Sequence, residues 1–231
     1  MFASKVIKPF QDLVKTQVAL IRFGHVKERG PTRRGVNSEL YLTALPVGSF
    51  GLELSQIGEN ALFDGQDVAT AIRQIIQLIE ATAKGEEPFE NESENVPKRN
   101  LTNLRNFLEV IASEHSILRI ESGDLGIEIP EANVTEAFER VNATTSEDEK
   151  ISITGTLRGF LLDSGLFQIV DEEGISISGF IGEELNEEEI IAYDREFLNR
   201  VCQIHLCTYT TTFKTGKRKV SYELLGISSP K

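Results

Sequence analysis

Hydrophobic positions along this chain change their period near residue 145, from intervals of three and four to simple alternation. Between Lys5 and Phe23, the residues Val6, Phe10, Leu13, Val14 and Ile21 fall at helical spacing, which predicts an amphipathic helix. Leu40, Leu42 and Ala44 then alternate with Tyr41 and Thr43. Phe50, Leu52 and Leu54 alternate with Gly51 and Glu53, and Pro46-Val47-Gly48 between the two runs predicts a hairpin turn. Val68, Ile72, Ile75, Ile76 and Ile79 form one helical stripe across 67–83. Leu101, Leu104, Phe107, Leu108 and Ile111 form another after Pro97. Residues 85–99 separate these helices with five glutamates, Gly85, Pro88 and Pro97, and have little but Phe89 to bury. The expectation there is a mobile acidic loop. A second hairpin with Ser122-Gly123-Asp124 at its tip and a short helix over 131–140 complete this half.

Residues 142–150, NATTSEDEK, read as a polar linker and divide the chain into domains at 1–145 and 146–231. Beyond it, Ile151, Ile153, Leu157 and Leu161 alternate with hydroxylated neighbours. GLFQIVDEEGISISGFI predicts two strands turning at 171–174, and a helix over 183–197 follows. A long hairpin then runs through 200–213 and 217–227 about Lys214-Thr215-Gly216. Three strands, a helix and two strands in this order resemble a small five-stranded Greek-key barrel of the oligonucleotide/oligosaccharide-binding (OB) kind, over residues 150–228. The predicted fold class is α+β: an N-terminal antiparallel sheet with helices, followed by an OB-like β-barrel with one helix.

Charge adds a second division. Residues 1–35 carry 8 basic and 2 acidic side chains, residues 36–145 carry 7 and 19, and residues 146–231 carry 9 and 15, so a basic leader precedes an acidic body. The longest uncharged stretch, from Leu40 to Leu52, is 13 residues with Pro46 and Gly48 inside it, short of the roughly 20 that a membrane-spanning helix needs. The first 15 residues lack the apolar run of a secretory signal, so a cytoplasmic location and no membrane partner are expected. Cys202 and Cys207, five apart in one strand, point to opposite faces and should both stay reduced.

Lys8, Lys15, Arg22 and Arg29 recur every seven residues, and with Arg33 and Arg34 they form a candidate partner-binding set: a helical stripe and a flexible-looking basic segment that could face an acidic protein or another copy of this chain. No glycine-rich phosphate motif, nucleophile elbow or metal-ligand pair of the CxxC or HxxxH type occurs, so no cofactor or metal is expected and an enzyme is disfavoured. His205 and Cys207 share a strand face, but at a two-residue spacing their side chains run parallel and do not form a dyad. The predicted outer barrel face carries Ser152, Thr154, Thr156, Ser176 and Ser178 with Arg158, Phe160 and Phe180. The candidate anion- or nucleic-acid-binding residues are Arg158 and the hairpin-tip cations Lys214, Lys217, Arg218 and Lys219. The reading that follows is a non-catalytic cytoplasmic protein-interaction module, a regulator, inhibitor or immunity/antitoxin-like partner. A nucleic-acid-binding OB-like barrel is the alternative.

Overall fold

A computed structural model describes residues 2–24, 26, 40–44, 53–56, 61–94, 96–182 and 184–230. Arg29, Arg33, Arg34, His25, Phe50, Leu52 and the turn expected at 46–48 lie outside the described residues. The chain forms two compact units. The first comprises Met1–Thr144 with Phe213–Thr215, and the second comprises Thr145–Thr212 with Gly216–Lys231.

The first unit is built from helix α1 (Phe2–Phe23), strands β1 (Leu40–Ala44) and β2 (Glu53–Gln56), helices α2 (Ala61–Lys84), α3 (Glu86–Glu92) and α4 (Lys98–Ser113), strands β3 (Leu118–Ser122) and β4 (Leu125–Ile129), and helix α5 (Glu131–Asn142). Antiparallel pairing is present as two hairpins, β1 with β2 and β3 with β4. The predicted stripes are the ones that bury. Leu13, Val14 and Val18 of α1, Ile75 and Ile79 of α2, Leu104 and Leu108 of α4, and Val134 and Ala137 of α5 form one core, each large side chain contributing about 1.5–3 kcal/mol by leaving water. Polar side chains enter this core as a paired chain. Asn100 Nδ2 donates to Gln17 Oε1 at 2.5 Å and Gln17 Nε2 donates to Gln74 Oε1 at 2.6 Å, which offsets the desolvation of the amides.

Two expectations are corrected here. Residues 85–99 are not a loop, because α3 occupies Glu86–Glu92 and α4 begins at Lys98. Pro88 stands in the first turn of α3 and Pro97 caps α4, positions where a missing N–H is harmless. Phe89 is fully buried. The acidic side chains have partners: Glu86 lies 3.2 Å from Arg140 Nε, and Glu90 accepts from the Thr215 hydroxyl. The expected linker at 142–150 is also mostly strand. Strand β5 spans Thr145–Leu161 and pairs with β8 (Val201–Thr212) from Thr145↔Thr212 onward.

The second unit is a closed barrel in the order β5, β6 (Leu166–Asp171), β7 (Ser176–Ile181), β9 (Arg218–Ser228), β8. Neighbours are antiparallel except β7 and β9, which run parallel through Phe180↔Glu223 and Ile181↔Leu224. Leu157, Phe167, Ile169, Ile204, Leu206 and Leu224 fill the interior. Gly179 permits the parallel contact, since a Cβ there would sit 2.2 Å from the Tyr222 carbonyl oxygen and 2.7 Å from the Phe167 ring. Helix α6 (Glu187–Phe197) starts later than the expected 183. Its start is set by a capping box in which Asn186 accepts from the Glu189 N–H and the Glu189 carboxylate accepts from the Asn186 N–H, both at 2.9 Å.

Candidate functional site

The outer face of β5, β6 and β7 is set by register. The β5–β6 pairing slips between Leu157 and Gly159, so alternation in β5 shifts by one residue. Phe160, expected outside, pairs with buried Phe167 and packs against the interior. Gly159 instead faces outward opposite Gln168, and Leu161 faces outward opposite Leu166. Leu166 in turn pairs with Phe180, and the Phe180 ring stacks on Tyr209 of β8 with centroids 6.2 Å apart and planes at 16°. An apolar row therefore crosses the sheet as Leu161, Leu166, Phe180 and Tyr209. Its outer end is the most open, with Leu161 64% and the adjoining Leu162 50% exposed.

At the inner end the Tyr209 hydroxyl donates to the Glu223 carboxylate. Burial, then the hydrogen bond to Glu223, then that to Cys207 hold the phenol well above its ordinary range, so it stays a neutral donor. At the outer end Leu198, 39% exposed, places a methyl 3.9 Å from where a Gly159 Cβ would lie. Beside them the Arg158 guanidinium donates to Asn199 Oδ1 at 3.1 Å. Arg195 is in the last turn of α6, and Arg200 follows two residues after Leu198, which ends the helix. Both are exposed, and neither has an ion-pair partner among the described residues.

Other candidate residues are placed differently. Lys8 and Lys15 are exposed on α1, whereas Arg22 is half-buried with its Nε 2.6 Å from Asp67 Oδ2. At the β8–β9 tip, Lys214 stands 4.0 Å from Glu86, and both Lys217 and Lys219 make contacts of their own; Lys214 and Lys217 lie exposed in the turn, whereas Arg218, exposed, and Lys219, half-buried, begin β9. Both cysteines are free and buried on opposite faces of β8, Cys202 inside the barrel with its thiol pKa pushed up by burial.

His205 is paired in a way the sequence did not announce. Its Nδ1 lies 2.8 Å from the Ser152 hydroxyl and its Nε2 lies 3.1 Å from the Ser228 hydroxyl, across β5, β8 and β9. Both ring nitrogens are thus within hydrogen-bond distance of a serine hydroxyl. Among the described residues no carboxylate hydrogen-bonds to the ring. No group of three His, Cys, Asp or Glu side chains suited to a metal ion occurs among the described residues, and no helix among them is long and apolar enough to cross a membrane. No protein-family model matches the chain, and neither a curated protein nor a solved structure matches it.

Proposed function

We propose that this chain is a non-catalytic cytoplasmic protein-interaction module, a regulator or inhibitor, whose barrel offers its outer face to a partner protein. The observation that carries this reading is the row Leu161, Leu166 and Phe180 with Leu162 at its open end, a run of apolar side chains on a face that a free-standing barrel would cover with polar ones. A contiguous patch of this kind is characteristic of protein recognition, where aliphatic and aromatic side chains are removed from water together. Single-stranded nucleic acid asks for a cationic groove beneath free aromatic faces. Here one Phe180 face is already taken by Tyr209, and the tip cation Lys214 stands 4.0 Å from Glu86.

The test is capture of partners from native lysate by the wild-type chain and by Leu161→Ser/Leu162→Ser, with and without nuclease. Both leucines are exposed, so the variant should fold normally. The reading expects nuclease-resistant protein partners that the variant loses. Nucleic acid retained by the wild type, with protein lost on nuclease treatment, would instead favour the OB-like nucleic-acid reading.

A further inference from the structure

A second surface, apart from the apolar row, lies along two edges of the barrel sheet. Strands β5, β8 and β9 run side by side from Thr145↔Thr212↔Arg218 to Lys150↔Cys207↔Glu223, with β8 in the middle. Strand β6 joins β5 only from Gly155 onward, and β7 joins β9 only at Glu223 and Leu224. Among the described residues, no strand therefore lines the outer side of β5 over 145–150 or that of β9 over 218–222. We propose that these two edges bind each other between copies of this chain, β5 of one copy pairing with β9 of the next.

Charge selects this partner. The β5 edge presents Glu147, Asp148, Glu149 and Lys150 in succession, all exposed, so neither face of this stretch is buried. The β9 edge follows Lys217 with Arg218 and Lys219 and has no acidic side chain before Glu223. Register and alternation put Glu147 and Glu149 on the same face as Arg218, and none of the three has an ion-pair partner among the described residues. Lys214 and Thr215 of the intervening turn already face Glu86 and Glu90, which leaves Arg218 as the cation for the joint. Within one copy, β8 keeps the β5 and β9 edges two strand spacings apart, about 10 Å, whereas a second copy's β5 on the β9 edge stands at one, about 5 Å. Like edges repel: β5 against β5 sets acidic beside acidic side chains, and β9 against β9 sets basic beside basic. Both strands are antiparallel to β8 and so point the same way, which makes the joint between copies parallel. The two edges differ, so the contact repeats from copy to copy into rings or chains rather than closing as a two-fold dimer.

The test is sedimentation velocity of the full chain across concentration and salt. Wild type should grow beyond its 25.7 kDa monomer as concentration rises, and should dissociate toward about 1 M salt, where charges are screened beyond about 3 Å. Glu147→Lys/Glu149→Lys and, separately, Lys217→Glu/Arg218→Glu should each weaken self-association by about tenfold or more. Mixing the two variants, or combining all four changes in one chain, should restore it. All four residues are exposed, and circular dichroism of each variant checks that the fold is kept. A monomer at every concentration, or association that both variants leave intact, would overturn the proposal. So would association that strengthens with salt and is lost on Leu161→Ser/Leu162→Ser, which would place the joint at the apolar row. Loss through Lys8→Glu/Lys15→Glu alone, with no effect of the edge changes, would overturn it in favour of α1.

Discussion

Phe89 of α3 meets Phe213 edge to face, with ring centroids 5.7 Å apart and planes at 80°. Both rings are buried in the core of the first unit. Phe89 is the main apolar anchor of an acidic segment, so its removal should leave α3 without a hold on the core. Phe89→Ala is expected to destabilise the first unit by about 3–5 kcal/mol in urea denaturation. Phe89→Ala and Phe213→Ala together should fall short of additivity by about 0.5–1.5 kcal/mol, the size of an aromatic pair. Strict additivity would mean the rings act independently.

Arg140 carries the second hold on α3. Its side chain is 12% exposed, its Nε faces Glu86 at 3.2 Å and its guanidinium donates to the Thr82 carbonyl. Arg140→Met preserves much of the volume but removes the charge, and should lower stability by about 1–3 kcal/mol, less than a fully buried pair because Glu86 retains contact with water. Hydrogen exchange provides the local readout: the amides of Phe89 and Ser93, bonded to the Gly85 and Phe89 carbonyls, should lose protection first. Unchanged exchange at both amides would show that the pair does not hold the helix.

Gly179 is the tightest glycine position in the barrel, where β7 approaches β9. Gly179→Ala forces a methyl into the Tyr222 carbonyl, a backbone atom that cannot rotate away. The expected loss is about 1–3 kcal/mol or more, visible as a lower thermal midpoint for the barrel. Ser178→Ala, one residue earlier and exposed, is the control expected to be nearly silent.

Tyr209 gives the barrel a pH dependence of known sign. Its phenol pKa is raised in the folded state, first by burial and then by its hydrogen bond to Glu223. The unfolded chain ionises its tyrosines near pH 10. The contribution is therefore fully present below about pH 10 and is lost as pH rises from there toward the folded value. Phenolate absorbance should contain a late-titrating step from Tyr209. Tyr209→Phe should abolish that late step and flatten the alkaline fall in stability. A wild-type titration curve that Tyr209→Phe leaves unchanged in its late part would contradict the assignment.

The sequence carried the local features and missed those that depend on distant partners. The α1 positions Leu13 and Val14 were legible because helical spacing alone sorts them to one side. The segment around Phe89 was not. Its glutamates and prolines have the composition of a solvated loop, while the groups that fold it, Arg140, Phe213 and Thr215, lie far along the chain. The start of β5 was hidden for another reason. Glu147, Asp148, Glu149 and Lys150 are all exposed, so a strand there leaves no apolar alternation to detect.

The candidate face shows the same limit more sharply. A slip in pairing between Leu157 and Gly159 reverses the alternation, turning Phe160 inward and Leu161 outward. Strict period-two reasoning assigns both to the wrong side. That Leu166 and Phe180 extend the row follows from cross-strand register, which no local window contains. His205 was noticed for the neighbour it shares a strand with, Cys207, whereas its actual partners Ser152 and Ser228 come from the two flanking strands.

The bond from the Thr215 hydroxyl to Glu90 joins residues 125 apart in the chain, and Phe213 reaches Phe89 over a similar distance. During synthesis the helices α1 to α5 leave the ribosome long before β8 is complete. Until then the Phe89 ring lacks its Phe213 neighbour and Glu90 lacks the Thr215 hydroxyl. The full set of native contacts on α3 can therefore be made only once residues 213–215 have been synthesised.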